Sequence, residues 1–247
     1  MDEYLAFAKD LARQGGQLIK DNFESNLSVE LKGDHTPVTQ VDKQINQLVI
    51  TTIRSKYPEH GVLGEEADES NGEEYQWVCD PIDGTAPFIM GVKTSTFILG
   101  LAKDGQFLLS VVYNPYDDKL YYAVRGEGAF CDGRKLRVDS RSLKESFVIY
   151  DNSSHSLYDK LTAAGAVMEP CPGAGYRAML LAQGRLSAIV QCKADHHDVG
   201  PASLIIEEAG GKVTLFDGTT PRYDQPIQGG LLLSNGTCHD ELLQLVA

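Results

Sequence analysis

The chain has 247 residues, and 22 Lys and Arg against 35 Asp and Glu leave it a formal charge of −13. A chain this acidic lacks the basic footprint that displaces counterions from phosphates, which excludes a nucleic-acid polymer as partner, and no stretch reaches the roughly 18 apolar residues a membrane span needs. With 42% hydrophobic and 23% charged residues interleaved, the composition is that of a folded globular protein with a large core.

The opening residues, MDEYLAFAKDLARQ, contain no signal-like apolar run, and the five cysteines (Cys79, Cys131, Cys171, Cys192, Cys238) are scattered without a CxxC pair. A soluble, cytoplasmic protein with reduced thiols is expected. From 3 to 23, Leu5, Ala8, Leu11, Ala12, Leu18 and Ile19 recur at helical spacing, and a second periodic segment carries Val41, Ile45, Leu48, Val49 and Ile53 until Pro58 stops it. Runs rich in β-branched and aromatic residues follow at 76–79, 96–101, 107–113, 119–124 and 147–150, and read as strands of one sheet. Beyond about 150 the pattern alternates: helix near 176–183, strand at 186–191, helix near 200–209, strands at 213–216 and 231–234, and a helix from His239. The alternation predicts a layered α/β protein, with an N-terminal α+β lobe over 1–145 and a C-terminal α/β lobe over 146–247 packed as one unit.

The chemistry concentrates in WVCDPIDGTAPF, where a strand is expected to end at Asp80 and the chain to turn through Pro81-Ile82-Asp83-Gly84-Thr85. Proline fixes one backbone angle and glycine permits a tight turn, so the segment can aim Asp80 and Asp83 at one point. A helix opening at Gly84 would add free amides, an anion site abutting a cation site. Three more acidic features each have an ordinary local explanation. Glu65-Glu66 can sit at a helix start, Asp198 can cap the helix in HHDVGPASLIIEEAGG, and Asp42 can sit in the first turn after Thr39.

Taken in order, HTPVTQVDKQIN, GEE, DPIDGT, the AVRGEGAF run from Ala123 and the Asp198 helix closing in EEAGG resemble the inositol monophosphatase family over about Leu5 to Leu233. The resemblance implies an αβαβα sandwich, usually dimeric, and a Mg²⁺-dependent, lithium-sensitive phosphatase acting on small phosphate monoesters. It implies that Glu65, Asp80 and the carbonyl of Ile82 hold a first Mg²⁺, which activates the attacking water. Asp80, Asp83 and Asp198 would hold a second near the leaving group, and a third ion would touch Glu65. Hard oxygen ligands suit magnesium. Thr85, polarised by Asp42, would orient the water while the Gly84 and Thr85 amides cradle the phosphate; Glu66 would stand behind the ligands.

The chain departs from the family pattern in two places. His197-Asp198-Val199-Gly200-Pro201-Ala202 stands where W-D-x-A-A-G is usual, and Ala86-Pro87-Phe88 leaves the phosphate rim less basic. Gly173, Ala174, Arg177, Gln191 and His197 are candidates for the substrate pocket, with Gln191 where the resemblance implies that inositol-phosphate-hydrolysing members tend to carry a glutamate contacting the sugar hydroxyls. Arg177 is placed to meet a second anion or to be an ordinary helix-start arginine. Lys193, Asp195 and His196 read as a polar loop, and zinc at His196-His197-Asp198 is disfavoured because adjacent side chains should diverge. The three-residue spacing of Asp80 and Asp83 argues against the D-x-D of haloacid-dehalogenase phosphatases, and Gly126-Glu127-Gly128 is a turn rather than a dinucleotide fingerprint. Expected substrates are inositol monophosphate or a related polyol phosphate, with 3′-phosphoadenosine 5′-phosphate, histidinol phosphate and fructose 1,6-bisphosphate as alternatives. A catalytically silent binding relative is the non-enzyme alternative.

Overall fold

A computed structural model describes residues 1–25, 27–33, 35–66, 68–69, 74–150, 155–193, 195–223 and 227–246. The chain opens with α1 (Asp2–Asn22), a short hairpin of β1 (Val29–Leu31) and β2 (Pro37–Thr39), and α2 (Gln40–Lys56). An eight-stranded sheet follows, made from β3 (Gly61–Gly64), β4 (Asp68–Glu69), β5 (Gln76–Asp83), β6 (Thr96–Lys103), β7 (Gln106–Asn114), β8 (Lys119–Val124), β9 (Gly128–Cys131) and β10 (Arg134–Lys135), with α3 (Thr85–Ile89) between β5 and β6. Its strand order is β10-β9-β8-β7-β6-β5-β3-β4. The remainder contributes β11 (Phe147–Tyr150), α4 (His155–Ala163), β12 (Val167–Met168), α5 (Ala174–Ala182), β13 (Ala188–Gln191), α6 (His196–Glu208), β14 (Lys212–Leu215), β15 (Leu231–Ser234) and α7 (His239–Val246). Its five strands run in the order β12-β11-β13-β15-β14.

These elements stack in five layers because both sheets are apolar on both faces. Along β5 to β7, Trp77, Cys79, Phe97, Leu99, Leu109 and Val111 point to the side covered by α1 and α2, while Val78, Ile98, Phe107 and Val112 point to α5 and α6. Helices α5 and α6 are therefore buried between the sheets. Val148, Tyr150, Val190 and Leu232 face the outer layer of α4 and α7. The order α, β, α, β, α is the sandwich expected from the sequence.

The strand at 147–150 does not belong with the other predicted strands. It pairs parallel with β12 and β13 in the second sheet, a partner choice that local β propensity does not encode. The helix expected near 200 begins four residues earlier. Pro201 lies inside α6, and its carbonyl accepts a hydrogen bond from buried Ser110 Oγ at 2.6 Å. The Phe107 ring then fixes the height of α6 over the sheet. A Cβ on Gly100 of β6 would stand 2.7 Å from that ring, and one on Gly200 of α6 would stand 2.6 Å from it. Phe107→Ala should lower the unfolding free energy by about 3–5 kcal/mol in a urea titration; a change below about 1 kcal/mol would mean that α6 is held by something else.

Candidate active site

Strand β5 does not stop at Asp80; it continues to Asp83 with a register shift. Asp80 pairs with Ile98 and Asp83 with Thr96, so two residues of β5 oppose one of β6. Pro81 cannot donate to a ladder, which makes this the natural place for a bulge. In a regular strand, residues three apart face opposite sides of the sheet. The extra residue brings them to one side, and carboxylate oxygens of Asp80, Asp83 and Asp198 lie within 4.8 Å of one another.

Each acid is presented differently. Asp83 is almost fully enclosed and fully partnered: Oδ1 accepts the Ala174 amide at 2.7 Å, and Oδ2 accepts the Gly175 amide and the Thr96 hydroxyl, both at 2.9 Å. The N-terminus of α5 is thus docked on Asp83. Only glycine lets it come so close. A Cβ on Gly175 would lie 2.4 Å from Thr96 Oγ1, and Gly173, at φ +85°, would drive one to 2.8 Å from the Thr94 carbonyl. Asp198 lies in the first turn of α6, three residues after the capping residue Asp195. Asp80 is 2% exposed, and its Oδ1 has no hydrogen-bond partner.

The electrostatics of this arrangement are adverse without a cation. Burial, then the charges of Glu65, Asp198 and Asp83, push Asp80 well above the usual carboxylate range. Burial, followed by Asp83 and Glu65, does the same to Asp198. Burial raises Asp83 as well, although hydrogen bonds from Thr96 and the α5 amides oppose it. An orphaned buried carboxylate oxygen among hard oxygen donors fits a magnesium-type ion. Asp80, Asp83 and Asp198 would hold it, with Glu65 alongside.

Glu65 follows β3 and is tied down by Lys32 from the loop after β1. The Lys32 ammonium lies 2.6 Å from Glu65 and 2.6 Å from Glu66. Burial works against that charge, but the two carboxylates hold the lysine pKa above its ordinary value. On the opposite flank, Thr39 caps α2 in a capping box: Asp42 Oδ2 accepts the Thr39 amide at 2.9 Å and its hydroxyl at 2.5 Å. That leaves Asp42 Oδ1 for Thr85. The Thr85 hydroxyl lies 3.1 Å from Asp42 Oδ1 and 3.1 Å from the Ile82 carbonyl, and its one proton serves either. Asp42 is fully enclosed, and burial raises its pKa despite these bonds. Gly84, at φ +80°, turns the chain into α3.

The remaining expected residues are spread more widely. Gln191 is buried at the end of β13, and Arg177 sits half-buried in the first turn of α5. Asp195, His196 and His197 do not form a polar loop. Asp195 caps α6, and the imidazoles do not diverge: their rings are 4.0 Å apart, with Nδ1 atoms 3.3 and 2.9 Å from the same Asp195 oxygen. Capping accounts for the His197 amide donating to Asp195 Oδ1, and ligand atoms of Asp195, His196 and His197 also lie within 4.8 Å of one another. Lys32, Thr96 and the α5 amides escaped the sequence reading, although the spaced glycines Gly173 and Gly175 before a helix mark a close backbone approach.

A fold of this order built around this carboxylate cluster defines a metal-assisted phosphatase scaffold. The model of the inositol monophosphatase family matches residues 1–247, and the chain belongs to that family. It is 32% identical to the fructose-1,6-bisphosphatase/inositol-1-monophosphatase of Aquifex aeolicus, covering 99% of this chain and 96% of the relative. It is 34% identical to the histidinol-phosphatase of Chlorobaculum parvum, covering 84% and 83%. Among solved structures, an IMPase/NADP phosphatase complexed with Mg²⁺ and phosphate superposes with a TM-score of 0.84 at 28% identity, covering 99% of this chain and 93% of that one. The family is one of Mg²⁺-dependent phosphatases, and no described helix is long and apolar enough to cross a membrane.

A carboxyl whose pKa is higher folded than unfolded costs stability once it ionises. The metal-free protein should therefore lose stability as pH climbs from the ordinary value of 3.8 through the raised one. Asp80→Asn removes that titrating carboxyl, and at neutral pH its metal-free melting temperature should exceed that of the wild type by about 2–4 °C per kcal/mol relieved. The same variant should lose the Mg²⁺-dependent rise in melting temperature. A metal-free Asp80→Asn protein less stable than the wild type, with an unchanged Mg²⁺ response, would contradict the site.

Proposed function

We propose that the protein hydrolyses a small-molecule phosphate monoester with Mg²⁺ held by Asp80, Asp83, Asp198, Glu65 and the Ile82 carbonyl. The observation that carries this reading is the buried carboxylate cluster facing the Asp42–Thr85 pair across one short turn. Bound there, Mg²⁺ supplies positive charge for the phosphoryl oxygens and lowers the pKa of water. The chain supplies the positioning. Asp42, pinned by Thr39, holds the Thr85 hydroxyl so that its lone pairs can take a hydrogen bond from the attacking water. The Gly84 and Thr85 amides, at the start of α3 with no intrahelical acceptor, receive the phosphate oxygens. Lys32 pairs with both Glu65 and Glu66 and orients them beside the ligands.

The substrate class proposed is a polyol or sugar phosphate such as inositol monophosphate, and the relatives' names extend the field to fructose 1,6-bisphosphate and histidinol phosphate. Gln191, His197, Gly173 and Ala174 are proposed to wall the pocket. The reading also includes two or three ions per site, lithium inhibition, a homodimer and a cytoplasmic location. Phosphate release from a panel of these esters is the test. Turnover should require Mg²⁺ and cease in EDTA, and Asp80→Asn should nearly abolish it. Thr85→Ala should reduce kcat by about 10²–10⁴-fold. Full activity in EDTA, or no hydrolysis of any ester together with no Mg²⁺-linked thermal shift, would overturn the reading, the latter outcome indicating a silent relative.

A further inference from the structure

We infer that Asp195, His196 and His197 form a second metal site, at the start of α6, that takes a zinc-class transition-metal ion rather than Mg²⁺. The Nδ1 atoms of His196 and His197 lie 3.3 and 2.9 Å from the same Asp195 Oδ1, and ligand atoms of all three residues lie within 4.8 Å of one another. Zinc bonds to imidazole nitrogen and carboxylate oxygen are about 2.0–2.1 Å long, so tetrahedral ligand atoms stand about 3.3–3.4 Å apart. Both N···O edges lie within about 0.5 Å of that separation. Adjacent histidines were expected to diverge, which disfavoured zinc; here the rings pack against each other with centroids 4.0 Å apart, and the carboxylate they share belongs to Asp195 rather than Asp198.

Capping a helix does not require this arrangement. The His197 amide alone, 3.4 Å from Asp195 Oδ1, completes the cap. A carboxylate oxygen offers about two lone-pair directions, yet that amide and two imidazole nitrogens all approach this one atom. An ion relieves the competition, because each Nδ1 then presents a lone pair to the metal instead of a proton to the oxygen. The donor set decides the kind of ion. Two imidazoles and a carboxylate suit zinc, copper or nickel, whereas the all-oxygen set of Asp80, Asp83 and Asp198 suits Mg²⁺. The two sites share one turn of α6, since the Asp195 carbonyl accepts the Val199 amide at 3.2 Å and Asp198 lies within that span. An ion on Asp195, His196 and His197 therefore ties down the turn that presents Asp198. The Asp195 side chain is 59% exposed, which leaves the remaining coordination position to water.

The test is calorimetric titration of the full chain with Zn²⁺ in saturating Mg²⁺, together with melting temperatures measured with and without Zn²⁺. The wild type should bind one Zn²⁺ per chain and melt higher with it. Asp195→Asn keeps an equally good helix cap while removing the carboxylate, so it should fold and yet bind Zn²⁺ about tenfold or more weakly. His196→Asn and His197→Asn should each weaken Zn²⁺ binding to a similar degree, and Asp80→Asn should leave the Zn²⁺ affinity unchanged. Absence of Zn²⁺ binding by the wild type, or an affinity that any of the three variants at 195, 196 and 197 leaves unchanged, would overturn the inference. So would loss of Zn²⁺ binding in Asp80→Asn, which would put the zinc in the carboxylate cluster. None of these measurements reads phosphate release, so the inference and the phosphatase reading stand or fall separately.

Discussion

Asp80, Asp83 and Asp198 bring carboxylate oxygens within 4.8 Å of one another where little water remains, and Glu65 adds its charge beside them. Like charges at such separations repel by about 4 kcal/mol per pair even at an effective dielectric constant near 20. The surrounding architecture can be understood as the means of holding this repulsion in place. The β5 bulge puts two acids on one side of a strand, and the amides of α5 clamp Asp83. Phe107 and Ser110 dock α6 so that Asp198 completes the set.

The division between satisfied and unsatisfied groups gives the site its selectivity for cations. Asp83 has three donors, which fix it in place and oppose the effect of burial on its charge, whereas Asp80 Oδ1 has none. A group buried without a partner costs stability in the empty protein and recovers it when an ion binds, so part of the folding free energy is exchanged for affinity. The opposite flank is built the other way. Thr39, Asp42 and Thr85 form a satisfied hydrogen-bonded chain whose direction is set by the helix cap, so the hydroxyl needs no reorganisation before it acts. The formal charge of −13, first useful for what it excludes, is partly the signature of acids that await cations.

Much of this was legible in the sequence because it is local. DPIDGT places two acids around a proline, helical spacing marks α1 and α2, and Thr39 three residues before Asp42 is a capping signature. The interpretation of local residues failed where a long-range partner decides. The 147–150 segment has the same β propensity as its predecessors, and only its parallel pairing with β13 moves it to the second sheet. Asp198 read as the cap of its helix, whereas Asp195 caps that helix three residues earlier and gathers two histidines around one oxygen. Lys32 reaches Glu65 across 33 residues, and Thr96 meets Asp83 across 13. Neither spacing has a periodic signature.

The central claim is that the carboxylate cluster is a divalent-cation site, and diffraction at the manganese absorption edge from crystals grown with Mn²⁺ in place of Mg²⁺ tests it most directly. The account predicts an anomalous peak about 2.0–2.2 Å from oxygens of Asp80, Asp83 and Asp198, close to the ligand distance of Mg²⁺. A well-ordered cluster with no peak, or a peak bound only elsewhere on the molecule, would contradict it.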